Sequence, residues 1–92
     1  MQFNFSRSFE RSLKSLHLTE KIAIQRQVDA FMCAMDVRQI PSGFGLKKLG
    51  PDLWEFRADL AIRVLFQWDK DILTFLFVGN HNEVQQFLKH YL

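Results

Sequence analysis

The chain has 92 residues, 12 Lys and Arg against 10 Asp and Glu, and a formal charge of +2. That length suits one domain with one main core. A single cysteine, Cys33, excludes an internal disulfide framework, and no apolar run is long enough to cross a bilayer. The N-terminus lacks a basic start followed by an apolar run, so a cytoplasmic protein without membrane attachment is expected. The charge is only mildly basic. A nucleic-acid partner therefore requires positive side chains gathered on one face.

Gln2 to Phe5 alternates polar and apolar residues and predicts a short strand. Phe9, Leu13 and Leu16 then share one face of a short helix, which breaks at His17-Leu18-Thr19. Thr19 is the expected N-cap of a second helix, with Glu20 in its first turn. Ile24, Val28, Phe31 and Met35 recur at helical spacing and carry that helix to about Asp36. Cys33 is expected as a small packing residue in or beside the core. Val37 to Gly45, with Pro41, Ser42, Gly43 and Gly45, reads as a loop.

Leu46 to Leu49 is a short extended piece, followed by a Gly50-Pro51-Asp52 turn. Leu53 to Ala58 alternates, with Trp54 and Phe56 on one side and Glu55 and Arg57 on the other. In Ala61 to Trp68, Ile62, Val64, Phe66 and Trp68 share a face, opposite Arg63 and Gln67. After the tight polar turn Asp69-Lys70-Asp71, Ile72 to Val78 is apolar on both faces, as a strand inside a sheet is. Gly79 and Asn80 end it. Val84, Phe87, Leu88 and Tyr91 predict a C-terminal amphipathic helix. The expected fold is a single α+β domain over residues 1–92. It orders its elements β-α-α-β-β-β-α around a small, largely antiparallel sheet, with a helical hairpin at the N-terminus and a helix at the C-terminus.

Four stretches, in order, are Gly45-Leu46-Lys47-Lys48-Leu49, Leu53-Trp54-Glu55-Phe56-Arg57, Ile62-Arg63-Val64-Leu65-Phe66, and the run from Phe77 to Val84. Together they resemble the RelE/ParE toxin superfamily, whose members show L-K-x-L, W-E-x-R, a Y-R-V-x-Y-like strand and a closing G-H-x-x-E-V segment. The likeness is strongest over residues 45–87. It implies the toxin of a type II toxin–antitoxin system, bound to a cognate antitoxin in a hetero-oligomer. It further implies an endoribonuclease that cuts messenger RNA on the ribosome and inhibits translation, with neither metal nor other cofactor. The alternative is the ParE branch, which has the same fold but inhibits DNA gyrase by contact.

Metal-free RNA cleavage needs a base for the ribose 2′-hydroxyl, positive donors for the phosphate and an acid for the leaving oxygen. Under the resemblance, Arg57 and Arg63 are the candidate catalytic cations, since a guanidinium fork matches phosphate oxygens. As an ordinary feature they are solvated sheet arginines bridged to Glu55 or Asp59. Lys47 and Lys48 are candidate RNA-binding residues. If that piece is extended, only one of them faces the site. His81 is the candidate acid or base, or else a cap for the last helix together with Asn80 and Asn82. Tyr91 fits a packing stripe, and His17 a surface position. No His/Cys cluster has metal-ligand spacing.

Overall fold

A computed structural model of the chain describes residues 1–39 and 42–91. Its elements are β1 (Gln2–Phe5), α1 (Arg7–Lys14), α2 (Leu18–Asp36), a 3-10 turn (Ser42–Phe44), β2 (Lys47–Lys48), β3 (Leu53–Arg57), β4 (Ile62–Asp69), β5 (Ile72–Asn80) and α3 (His81–Tyr91). The α+β class and the order of elements are as expected, with one strand more. The short extended piece pairs with β3 and becomes the outermost strand, β2. Ile40 and Pro41, in the expected loop, lie outside the described residues. No helix among the described residues is long and apolar enough to cross a membrane.

The sheet runs β1-β5-β4-β3-β2, and β1 pairs with β5 in parallel while the other neighbours are antiparallel. Alternation sorts the side chains onto its two faces. Phe56, Val64, Phe66, Leu73 and Phe75 pack against Phe9 of α1 and against Ile24, Val28, Phe31 and Met35 of α2. The rings of Phe31 and Phe56 stack at 4.2 Å at the centre of this main core. On the other face, Leu53, Leu65 and Leu76 meet Val84 of α3, flanked by Phe77, Phe87 and Leu88.

A bulge makes this second core possible. The register steps from Leu65 opposite Phe77 to Phe66 opposite Phe75, so Leu76 has no opposing residue. The extra residue reverses the alternation. Leu76 and Phe77 therefore both join the α3 side, while Phe75 and Val78 stay on the α1–α2 side.

Beyond Phe75, β1 has ended and the edge of β5 is covered by serines of the α1 segment. The Ser6 backbone N–H donates to the Phe75 carbonyl at 3.0 Å and its hydroxyl to the Leu76 carbonyl at 3.1 Å. Ser6 also caps α1, accepting from the Phe9 N–H. Further along, the buried Ser12 hydroxyl donates to the Phe9 carbonyl at 2.9 Å and accepts the Val78 N–H at 3.0 Å. Ser12→Ala leaves that strand N–H buried and unpaired. It is expected to cost about 1–3 kcal/mol, read as a lower denaturation midpoint in urea at an unchanged slope.

Two local expectations are corrected. Thr19 lies inside α2, and the N-cap is His17, in extended backbone without a side-chain cap bond. The Lys21 N–H donates to the His17 carbonyl at 2.8 Å, closing a turn ahead of Thr19. Cys33 is exposed. At 3.6 residues per turn, nine residues separate it from Ile24 by two and a half turns, on the side away from the core. Tyr91 does pack, but sideways. It is 43% exposed and stacks on Phe87 with ring centres 5.6 Å apart.

Candidate functional site

The polar alternation of β3 and β4 points to the α3 side of the sheet, toward the strand ends away from the β4–β5 turn. Register fixes the neighbours there. Lys47 stands opposite Glu55, Arg57 opposite Arg63, and Arg63 opposite Gly79. Directly opposed residues share a face, with Cβ atoms about 5 Å apart. Lys47, Arg57 and Arg63 therefore form a cationic row across three strands, interrupted by the Glu55 carboxylate.

Two arginines directly across a strand pair repel each other. Part of that repulsion is relieved by Glu55. The Arg63 Nη1 donates to Glu55 Oε2 at 2.9 Å, with the glutamate side chain 7% exposed and the arginine 28%. Glu55 is thus a structural member of the site, and the period-2 spacing of Glu55 and Arg57 in β3 was the signal for it. Arg57 is exposed. Its side chain runs beside Gly45, where an added Cβ would lie 3.5 Å from the Arg57 Cβ and 3.8 Å from its Nε. Gly45 has φ +57°, a backbone that suits glycine there. Asp59 takes no part in this cluster. Its carboxylate closes the β3–β4 turn, accepting the N–H groups of Ala61 and Ile62.

The structure separates the two lysines. Lys48 pairs with Trp54 and so faces the opposite side of the sheet, with its Nζ 5.5 Å from the Trp54 ring centre. It does not join Arg57 and Arg63. His81 is exposed and is the first residue of α3, two residues beyond the Gly79 that faces Arg63. Because α3 packs on the arginine face through Val84, its first turn stands at the rim of that face.

A reciprocal capping box fixes that turn. Asn80 Oδ1 accepts the Glu83 N–H and Glu83 Oε1 accepts the Asn80 N–H, each at 2.8 Å. Asn80 therefore does the capping, and the His81 imidazole makes no hydrogen bond or ion pair among the described residues.

No family model and no curated protein matches the sequence. Solved structures do match the fold. A metal-bound toxin from Helicobacter pylori superposes with a TM-score of 0.71 over 91% of this chain and 98% of that one, at 16% identity. A chain of the E. coli DinJ–YafQ complex gives 0.72 over 90% and 96%, at 13% identity. The RelB–RelE antitoxin–toxin complex from Methanococcus jannaschii gives 0.69 over 91% and 96%, at 13% identity. At these identities the likeness is one of architecture, and the chain has the fold of the RelE/YafQ-type toxins of toxin–antitoxin systems.

Proposed function

We propose that the chain is the toxin of a type II toxin–antitoxin pair and that it cleaves messenger RNA on the ribosome in the cytoplasm. The observation that carries this reading is the Arg57–Arg63 pair. Two guanidinium groups on adjacent strands, one exposed and one held by a buried carboxylate, make a seat for a single anionic phosphate. Their mutual repulsion, only partly relieved by Glu55, is offset by such an anion.

In the reaction, the ribose 2′-oxygen attacks the adjacent phosphorus and its proton passes to the base. The bond from phosphorus to the 5′-oxygen breaks, and the acid protonates that oxygen. The products are a 2′,3′-cyclic phosphate and a 5′-hydroxyl. Arg57 and Arg63 hold the phosphoryl oxygens as charge builds on them. Lys47, on the same face, and His81, at its rim, share the two proton transfers. Lys48 has no part in the chemistry.

The test is to add the purified protein to a translating extract and map mRNA 5′ ends. New ends with 5′-hydroxyls are expected. Unbroken message together with unaffected translation defeats the reading. In the same assay Lys47→Ala is expected to slow cleavage about 10²-fold, the scale of one proton-transfer group.

An antitoxin is the expected partner, in a hetero-oligomer that masks the cationic face. DinJ–YafQ and RelB–RelE were solved as complexes. One observation favours the gyrase-contact alternative, namely that Glu55 already occupies part of the Arg63 guanidinium. Loss of gyrase supercoiling with intact message is the result that selects it.

A further inference from the structure

Among the described residues, two non-glycine residues have positive φ, Arg38 at 56° and Lys70 at 55°. Both stand where the backbone favours glycine. Arg38 follows α2 at the left-handed position of a helix-ending motif. Its N–H donates to the Met35 carbonyl at 3.1 Å, and the Gln39 N–H donates to the Ala34 carbonyl at 2.9 Å. Lys70 opens the two-residue turn between Asp69 and Ile72, a place where glycine or asparagine is the usual choice. Each strained residue carries a long cationic side chain, and both line one cavity of about 170 Å³ with Met1, Met35 and Trp68.

Strain of this kind persists where the surrounding structure holds it, and it clusters at ligand-binding surfaces. The chemistry around it is specific. The Trp68 indole N–H donates to the Lys70 carbonyl at 3.1 Å, which fixes the ring beside that lysine. Trp68 contacts Trp54 with ring centres 5.6 Å apart, and Lys48 lies over Trp54. A stripe therefore runs from Arg38 and Lys70 across two half-buried indoles to Lys48. It lies on the side of the sheet opposite Arg57 and Arg63. Among the described residues Arg38 pairs with Asp71, at 3.5 Å, with both side chains 79% exposed. An ion pair that open to water contributes little and yields readily to a phosphate.

Alternating cations and aromatic rings are what a single-stranded nucleic acid requires, rings for its bases and cations for its backbone. We propose that this stripe is a second RNA contact, holding a single-stranded segment independently of the arginine face. The proposal deepens the reading above, because RNA is the ligand in both, but its test does not depend on cleavage.

The chain has two tryptophans, Trp54 and Trp68, and both are in the stripe, so intrinsic fluorescence reports on this site directly. The intact protein is titrated with a 2′-O-methyl oligouridine decamer, which lacks the attacking hydroxyl. Saturable quenching that weakens with added salt is expected, and it should survive Arg63→Ala. Arg38→Gly and Lys70→Gly remove a cation while relaxing a strained backbone. Each is expected to raise the melting temperature and to weaken binding at least fivefold. A merely structural role predicts the first change without the second.

The proposal is overturned by absent or unsaturable quenching, by glycine variants that bind as well as the parent chain, or by polyglutamate quenching where RNA does not. That last result marks a protein-binding surface. Cleavage without quenching defeats this proposal alone, and quenching without cleavage defeats the nuclease reading alone.

Discussion

Replacing Arg63 by alanine is expected to slow RNA cleavage severely and to weaken the fold in the same step. The chemical loss is that of one preorganised donor to the phosphate, about 10²–10³-fold in rate. The structural loss has a separate cause. Arg63 is the ion-pair partner of Glu55, whose side chain is 7% exposed. Removing the guanidinium leaves a nearly buried carboxylate uncompensated, at about 1–3 kcal/mol.

The two losses separate in a second variant. Glu55→Gln added to Arg63→Ala neutralises the stranded carboxylate and is expected to restore most of the stability, measured by urea unfolding, without restoring cleavage. Recovery of cleavage in the double variant shows that Arg63 acts only by supporting the fold, and the assignment of the phosphate seat then fails. Full stability in Arg63→Ala alone shows instead that Glu55 is solvated well enough to need no partner.

Which parts of this arrangement were legible beforehand follows from the range of each interaction. Period-2 alternation in β3 and β4 is local, and it correctly placed Trp54, Phe56, Val64 and Phe66 on one face and Arg57 and Arg63 on the other. The apolar run of β5 correctly marked an interior strand. The choice between Lys47 and Lys48 was not local. It needed the β2–β3 register, which sets Lys47 opposite Glu55 and Lys48 opposite Trp54.

The Leu76 bulge was illegible for the same reason, since a slip in pairing leaves no trace in a strand that is apolar on both faces. Thr19 was the better capping residue by chemistry, yet α2 begins at Leu18, directly after the extended His17. Cys33 was misplaced by composition, where counting turns from Ile24 would have put it outside. Glu55 was considered only as a bridge to the arginines. Its burial, which makes it part of the site's framework, needed the β2–β3 pairing and the Arg63 contact to be seen.

Gly79→Ala is expected to be the most damaging one-carbon change near the candidate site. Gly79 is buried, and an added Cβ would lie 2.9 Å from the Phe77 Cε2 and 3.0 Å from both Cβ and Oε1 of Glu83. Real Cβ atoms do not tolerate the first of these distances, so a neighbour must move. Phe77 is stacked against Phe87 with ring centres 4.7 Å apart, and Glu83 Oε1 is committed to the Asn80 N–H.

The cost is about 1–3 kcal/mol for overpacking, with about 1 kcal/mol more when the cap is lost. The first turn of α3 then shifts away from β5 and takes His81 with it. A displacement near 1 Å costs on the order of 10²-fold in a reaction that depends on positioning, so cleavage should fall by about that much. Gly43→Ala is the control, since nothing lies within 4 Å of its added Cβ and its φ is not positive. It is expected to be neutral, or stabilising by about 0.4–1 kcal/mol. Equal stability and equal cleavage in the two alanine variants would mean that α3 has room to spare at Gly79 and that the position of its first turn is irrelevant to the chemistry.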